Sequence, residues 1–203
     1  NTEGDVIYIS QALARRNPYK ASMKGSIPVN VLTRVPSANA APLDLDINLD
    51  HADMNALALF FNPVTSAEGP IKGYVKVSGA WDDPELRGDV SVKNGRIELL
   101  TLHDPIFPLN MDVKFDGKSA TVEGNAVFGT GKSSVKGGLE WDRGAIIAYN
   151  GEAHLHAPDI HSDYYKGSLD ADFGLGEVMD VPGIEGNIHI HDALVEFPLT
   201  LLS

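Results

Sequence analysis

Two pairs of histidines come closer to a catalytic or metal-binding pattern than any other residues of this sequence. His154 and His156 form the first pair, and His189 and His191 the second. On a β-strand, residues two apart lie on one face about 6.6 Å from each other, so each pair offers two ligands of a zinc site. A further ligand would come from a polar neighbour: Asp159, His161 or Asp192. Both pairs alternate with apolar residues such as Leu155, as on any strand with one solvated face, so we expect no metal site.

The segment 129–133, Gly-Thr-Gly-Lys-Ser, resembles the end of a phosphate-binding loop. The full pattern requires a glycine five residues before Gly131, where this sequence has Ala126. It also requires a helix directly after the loop, whereas the apolar alternation on both sides of this segment indicates strands. We therefore expect no nucleotide site.

Paired carboxylates recur along the chain: Asp44 with Asp46, Asp82 with Asp83, and Asp170 with Asp172. Such pairs occur in calcium sites and in glycosidases, but here they alternate with apolar residues or occupy a predicted turn. The chain has no cysteine and no Gly-x-Ser-x-Gly nucleophile motif. Because no set of residues offers complementary catalytic roles, the sequence predicts a protein that is not an enzyme and needs no cofactor.

One short pattern is used throughout the chain: an apolar residue, a polar residue, glycine, any residue, an apolar residue, any residue and a last apolar residue. Its eight copies cover residues 23–29, 71–77, 86–92, 122–128, 135–141, 149–155, 165–171 and 184–190. In a strand the glycine falls on the same face as the apolar positions, so each copy interrupts its own apolar stripe. Repeated glycines on one face either curve a sheet around a trough or form corners in a packed barrel or sandwich, and the sequence leaves both open.

Strict alternation adds further strands at Leu43–Leu49 and Leu109–Phe115. Asn94-Gly95 and Asp116-Gly117 each stand between apolar runs, and both predict tight hairpin turns. The fold class that follows is all-β, with an elongated, curved and mostly antiparallel sheet whose strands follow one another in meander order.

One short helix is expected near residues 53–61. Apolar residues recur there at helical spacing: Met54, Leu57, Ala58 and Phe61. Asp53 is placed to cap the first turn, and Asn62 and Pro63 to end the helix. A helix this short would cover an end or an edge of the sheet.

The composition excludes several classes of protein. The 203 residues carry a formal net charge of −12, and 43% of them are hydrophobic. The chain is therefore not a disordered tail, and binding to nucleic acid or to an anionic membrane surface is unfavourable. No apolar run approaches the ~20 residues of a membrane helix, and the chain begins without Met, so we interpret it as a piece of a longer protein. We expect loosely matched strands in 1–40 and a continuous β-repeat in 41–203, together forming one structural unit.

The densest part of the repeat, Gly69–Gly79 followed by Pro84–Gly95, resembles the repeats of the TamB family in the AsmA-like superfamily. A short apolar segment precedes it at 57–61, which is also similar to the family pattern. The resemblance is dense over 43–99 and looser over 106–191.

This resemblance implies a sheet that curls into a long open groove with an apolar interior, a taco-like β fold. Members of the family are anchored in the inner membrane of diderm bacteria and reach through the periplasm towards the outer membrane. They are implicated in the transport of phospholipid between the two membranes and in outer-membrane protein assembly. The implied partners are phospholipid acyl chains and an outer-membrane protein of the Omp85 family, TamA or BamA.

The lining of such a groove would come from the apolar positions of the strands. We expect it to consist of Val75, Val77, Val90, Val92, Leu109, Met111, Val113, Phe115, Leu139, Trp141, Leu169 and Phe173. Lys72, Lys76 and Arg87 have the opposite parity and would face water. Two alternatives remain: a module that binds strands of outer-membrane β-barrel proteins as a chaperone or scaffold, and a periplasmic spacer with a filled core.

Overall fold

The computed structural model describes residues 6–16, 19–29, 41–55, 63–100, 102–162, 165–178 and 181–195. They form one antiparallel sheet of twelve strands, which confirms the predicted all-β class. The strands are β1 (Val6–Arg16), β2 (Tyr19–Pro28), β3 (Leu43–Asp53), β4 (Val64–Glu68), β5 (Pro70–Ala80), β6 (Asp83–Leu99), β7 (Ile106–Gly117), β8 (Ser119–Phe128), β9 (Gly131–Asp142), β10 (Ala145–His161), β11 (Tyr165–Val178) and β12 (Val181–Val195). In this described part of the chain, no helix is long and apolar enough to cross a membrane.

The strands follow one another in meander order with one exception, β4. The other eleven pair in the order β1-β2-β3-β5-β6-β7-β8-β9-β10-β11-β12. β4 pairs with the end of β6, where Val64 lies opposite Leu99 and Ala67 opposite Ile97, while β5 pairs with residues 83–92 of β6. β4 and β5 therefore lie end to end along the same edge of β6. The sheet is open, since among the described residues β1 and β12 do not pair with each other.

The turn predicted at Asp116-Gly117 is confirmed. Asp116 lies opposite Ser119, so the chain reverses direction between β7 and β8 within two residues. The alternation predicted for Leu109–Phe115 is also seen, because half-buried apolar residues on β7 alternate with exposed polar residues such as Asp112. The alternating pattern therefore determines which face of each strand packs inward.

The hairpin predicted at Asn94-Gly95 is wrong. Both residues lie inside β6, where the register to β7 shifts on either side of Gly95. Asn94 has a φ of 54°, and its N–H donates to the side-chain oxygen of Asn110 on β7 at 3.0 Å. Because β7 satisfies this backbone group, the Asn-Gly pair forms a bulge in a continuing strand and the chain does not reverse.

The helix predicted near 53–61 is not seen among the described residues, and most of that segment lies outside them. Asp53 is the last residue of β3, and Met54 and Asn55, which follow it, are in 3-10 conformation. The Asp53 carboxylate accepts the N–H of Asn55 at 2.9 Å, which is the capping contact expected of this aspartate. Met54 is fully buried beside Val92, so it covers part of the apolar face.

The repeated glycine allows neighbouring backbones to lie in contact. Gly88 has a φ of 136°, a region that residues with a side chain rarely adopt. A Cβ atom at this position would overlap the carbonyl oxygen of Tyr74 on β5. Gly25 is placed in the same way against the carbonyl oxygen of Asp44 on β3. At these positions the motif therefore needs glycine for close strand approach, beyond the gap that it leaves in the apolar stripe.

Candidate functional site: the apolar face of the sheet

Apolar side chains of neighbouring strands are in register and form rows that run across the sheet. Directly paired residues of antiparallel strands point to the same face, so the pairing gives the members of each row. One row crosses all eleven strands of the meander and contains only apolar residues and glycine: Ala14, Ala21, Leu49, Gly73, Val90, Val113, Val122, Gly137, Gly151, Leu175 and Ile184. One face of the sheet is therefore apolar from one edge strand to the other.

The twelve residues predicted to line a groove all lie on this apolar face. The strand pairing places each of them in this row or in a row parallel to it: Val75, Val77, Val90, Val92, Leu109, Met111, Val113, Phe115, Leu139, Trp141, Leu169 and Phe173. Val75 and Val92 are buried, Leu139 is 38% exposed, and the other nine are half-buried. The fold thus brings the predicted residues to one continuous surface.

Parts of the apolar face are buried in the interior of the sheet, and the face is most exposed on edge strand β12. Met54, Ala67 and Val92 form a buried cluster at the end of β6, and Val92 is only 2% exposed. On β12, in contrast, Ile184 is 70% exposed and Ile188 55%. A contiguous exposed apolar surface of this kind is uncommon on soluble domains and is typical of surfaces that bind apolar partners.

The sheet bends strongly between β6 and β9. The indole N–H of Trp141 on β9 donates to the carbonyl oxygen of Pro84 on β6 at 2.9 Å. In a flat sheet these strands would be three inter-strand spacings, or about 14 Å, apart. Trp141 pairs with Ile146 and lies two residues after Leu139, so it belongs to the apolar face. The sheet is therefore concave on its apolar side at this end.

Ion pairs join the same ends of β6 and β9. We name the three residues that form them, Asp83, Lys118 and Asp142, the Lys118 clasp. Lys118 lies in the β7–β8 turn, and its Nζ is 2.6 Å from Asp83 of β6 and 2.7 Å from Asp142 of β9. Asp83 also accepts the backbone N–H of Arg143 at 2.9 Å. The carboxylates of Asp142 and Asp83 raise the pKa of Lys118, while Lys118 and the Arg143 N–H lower the pKa of Asp83. The ends of β6 and β9 thus meet beyond the tip of the β7–β8 hairpin.

At the opposite end of the strands, the loop between β6 and β7 contacts the end of β10. Leu102 and Ser162 form an isolated antiparallel bridge, and the N–H of His103 donates to the carbonyl oxygen of His161 at 3.1 Å. A second buried cluster lies here, with Leu102 packed against Phe128, Ala157 and Ile160. A flat sheet would again hold β7 and β10 about 14 Å apart. The central strands are therefore drawn together at both ends.

A depression of about 760 Å³ lies on strands β7 to β11 around three glycines. Gly137 and Gly151 are paired on the apolar face, and Gly138 is the next residue on the polar face, where it lies opposite Asn150. Val122 and Leu175 flank the paired glycines in the same row. Most of its lining belongs to the polar face and includes the charged side chains of Asp112, Lys114, Glu123, Lys136, Glu140 and Glu152, so this depression does not suit a hydrocarbon.

The opposite face is polar and carries cross-strand ion pairs. Asp46 of β3 accepts the hydroxyl of Tyr74 on β5, and Lys24 of β2 lies 3.7 Å from it. The Tyr74 hydroxyl and Lys24 lower the pKa of Asp46, and Asp46 in turn raises the pKa of Tyr74. Lys76 pairs with Asp44 at 3.1 Å. This face is an ordinary solvated surface, as the parity of its residues predicts.

Lys72 and Arg87, predicted to face water, are exposed, whereas Lys76 is half-buried within its ion pair. Arg87 lies 3.6 Å from Asp116 of β7. The Gly129 to Ser133 segment spans the β8–β9 turn and the start of β9, and a strand follows it, where a phosphate loop needs a helix. Within the described ranges, no group of three or more His, Asp or Glu side chains is placed to hold a metal ion.

The sequence-based prediction missed the Lys118 clasp and the contact between Trp141 and Pro84. The latter joins residues 57 positions apart, so no local pattern signals it. The one hint is the size of Trp141, since it fills the last apolar position of a repeat whose other copies carry smaller side chains there.

Comparison with known proteins adds no relative. No family model, curated protein or solved structure matches the chain.

Proposed function

We propose that this chain is a segment of an envelope protein that spans the periplasm of a diderm bacterium and conducts phospholipid between the inner and outer membranes. The parent protein would be anchored in the inner membrane and would support outer-membrane protein assembly together with an Omp85-family partner, TamA or BamA. The observation that carries this proposal is the row of apolar residues and glycine that crosses all eleven meander strands. The resemblance of the repeats to those of the TamB family supplies the membranes and the partner.

The apolar face would bind acyl chains by the hydrophobic effect alone. Each methylene removed from water contributes about 0.8 kcal/mol. Because the row continues with similar side chains from β1 to β12, no single position would trap a chain. The bend at Trp141 and Pro84 would increase the area that a bound acyl chain buries, because it brings apolar side chains of the sheet against the acyl chain from two sides. The conduit proposed here is passive and uses no catalytic residue and no cofactor.

Binding of single-chain lipids tests this proposal. We expect calorimetric titration with lysophosphatidylcholines of 10, 12 and 14 carbons, below their micelle concentrations, to show affinity rising by up to about fourfold per added methylene. Leu139→Asp, which places a carboxylate on the apolar face, should reduce this affinity. Ser134→Asp places the same group on the polar face of β9 and should leave it unchanged. Absence of binding, or affinity that follows the head group and not the chain length, would rule out the conduit.

A second function is favoured by the edge strand β12. In the described sheet β12 pairs only with β11, and its apolar side chains Ile184, Ile188 and Ile190 are exposed. A strand of an outer-membrane β-barrel protein could extend the sheet here by backbone hydrogen bonding, as a client of a chaperone or scaffold. An extended peptide with alternating apolar residues should then bind, and its N-methylated form should not. If both peptides bind equally, or neither binds, this second function is excluded.

A further inference from the structure

Four of the seven histidines of the chain lie together on the polar face of β10, β11 and β12. His154 and His156 are on β10, and His189 and His191 are on β12. Between them, β11 carries Asp170 and Asp172: the pairing places His154 opposite Asp172, His156 opposite Asp170, and Asp170 opposite His189. We name these six residues the His–Asp ladder. It occupies the face opposite to the proposed lipid-binding surface, so it is independent of the proposed function.

Side-chain contacts join the three strands of the ladder. His154 Nδ1 lies 2.5 Å from the Asp172 carboxylate. The Asp170 carboxylate contacts His156 Nδ1 through one oxygen and lies 3.4 Å from His191 Nε2 through the other. Asp170 is therefore shared by a histidine from each side, and it links β10 to β12 across β11.

The charged and polar groups that face the ladder define its dependence on protonation. On the β9 side they are Ser134 opposite His154, Lys132 opposite His156, and Lys136 opposite Glu152 beside the ladder. On the β12 side they are Asn187 opposite Asp172, Glu185 opposite Gly174, and Asp192 next to His191. Lys166 lies at the far end of β11 opposite Leu194.

The two sides of the ladder differ in their fixed positive charge. β9 brings lysines towards β10, but β12 contains no Lys or Arg, so its histidines are its only possible cations. When the histidines are neutral, β12 carries only the negative charges of Glu185 and Asp192, which face the carboxylate-bearing strand β11. With protonated histidines, cations and carboxylates alternate across the three strands. The charge state of the histidines therefore decides whether β12 is attracted to β11 through its side chains.

We propose that the His–Asp ladder makes the attachment of edge strand β12 to β11 dependent on pH, with protonated histidines strengthening it and neutral histidines weakening it. Loosening of β12 at higher pH would expose the edge of β11.

The direction of the pH dependence follows from the groups of the ladder. Asp172 raises the pKa of His154, so the stability from that pair is complete below the unfolded value of about 6.5 and is lost as the pH rises through the raised folded pKa. His156, together with His191, lowers the pKa of Asp170. The stability from the Asp170 contacts is therefore present above about pH 3.9 and is lost as the pH falls through the lowered folded pKa. Asp170, which contacts His191 of β12, therefore contributes above about pH 4, and the His154–Asp172 pair, which joins β10 to β11, contributes fully below about pH 6.5.

Hydrogen exchange of the full chain, followed by mass spectrometry at pH 5.5 and pH 8.0 with EDTA present, tests this proposal. After correction for the intrinsic exchange rates, we expect amides of 181–195 to be protected about two- to fivefold more strongly at pH 5.5. Amides of β5 serve as the internal control, because that strand contains no histidine. Equal pH dependence in β5 and β12 would overturn the proposal.

Two variants assign the effect to the ladder. Asp170→Asn should remove most of the pH dependence of β12 protection. The double variant His189→Gln/His191→Gln keeps Asp170 and should show at pH 5.5 the protection that the unmodified chain shows at pH 8.0. The second variant provides the test if the first one fails to fold. A pH dependence of β12 that persists in a folded variant of either kind contradicts the proposal.

Discussion

Trp141 and Pro84 are joined by a hydrogen bond from the indole N–H to the backbone carbonyl, although two complete strands lie between them in the sheet. The contact shows that the ends of β6 and β9 approach each other beyond the β7–β8 turn. The Lys118 clasp lies next to it and joins the same strands on a solvated rim. Curvature at this end of the sheet therefore depends on a few identified side chains, each of which can be changed separately.

Trp141→Phe should destabilise the protein by about 1 kcal/mol, because it removes one partially buried hydrogen bond and leaves most of the ring in place. Urea unfolding measures this change. Trp81→Phe is the matched control, since Trp81 is the other of the two tryptophans and is 38% exposed in the β5–β6 turn. Equal effects of the two substitutions would show that the Trp141 contact does not hold the bend.

Val92→Ala and Val135→Ala should differ in their effect on stability although the two valines occupy the same row. Val92 is 2% exposed in the cluster with Met54 and Ala67, and its truncation should cost about 2 kcal/mol. Val135 is 38% exposed, and its truncation should cost less than about 1 kcal/mol. The free energy of unfolding in urea distinguishes them. A large loss for Val135→Ala would mean that its end of the apolar face is packed and not open to a ligand.

Gly88→Ala should destabilise the sheet by at least about 2 kcal/mol, because the residue combines a positive φ with contact against the Tyr74 carbonyl. Gly176→Ala on β11 is the control, since a Cβ atom there has nothing within 4 Å. That substitution should be neutral or should stabilise by up to about 1 kcal/mol. Thermal unfolding of both variants gives the comparison. A well-tolerated Gly88→Ala would mean that the motif glycine is not needed for strand contact.

Tyr74→Phe should lower stability by a constant amount from about pH 5 to about pH 9. The bond to Tyr74 lowers the pKa of Asp46, so its contribution is present above about 3.9 and is lost as the pH falls through the folded pKa. The same bond raises the pKa of Tyr74, so its contribution is present below about 10 and is lost as the pH rises through the folded pKa.

Urea midpoints of the Tyr74→Phe variant and the unmodified chain, measured across this pH range, should therefore converge at both extremes. Tyr8→Phe is the control, because Tyr8 is 81% exposed. A difference that grows below pH 4 would contradict this assignment of the Asp46 pKa.

The sequence predicted the faces of the strands well and their long-range geometry poorly, for physical reasons. Alternation along Leu109–Phe115 follows from the two-residue period of a strand, and the Asp116 turn follows from local backbone preferences. Asn94 has the same local preference, but pairing with Asn110 of β7 outweighs it. The contact of Trp141 with Pro84 depends on the bend of four strands, so no short segment encodes it.

The most direct measurement of the central claim is face-specific crosslinking to lipid. A photoreactive benzoylphenylalanine would be placed singly at Val135 or Leu139 on the apolar face of β9, and at Lys136 or Glu140 on the polar face of the same strand. After irradiation in cells, mass spectrometry of the purified protein should find phospholipid attached at Val135 and Leu139 and none at Lys136 and Glu140. Attachment at equal levels on both faces, or no attached lipid at Val135 and Leu139, would contradict the proposal that the apolar face carries lipid.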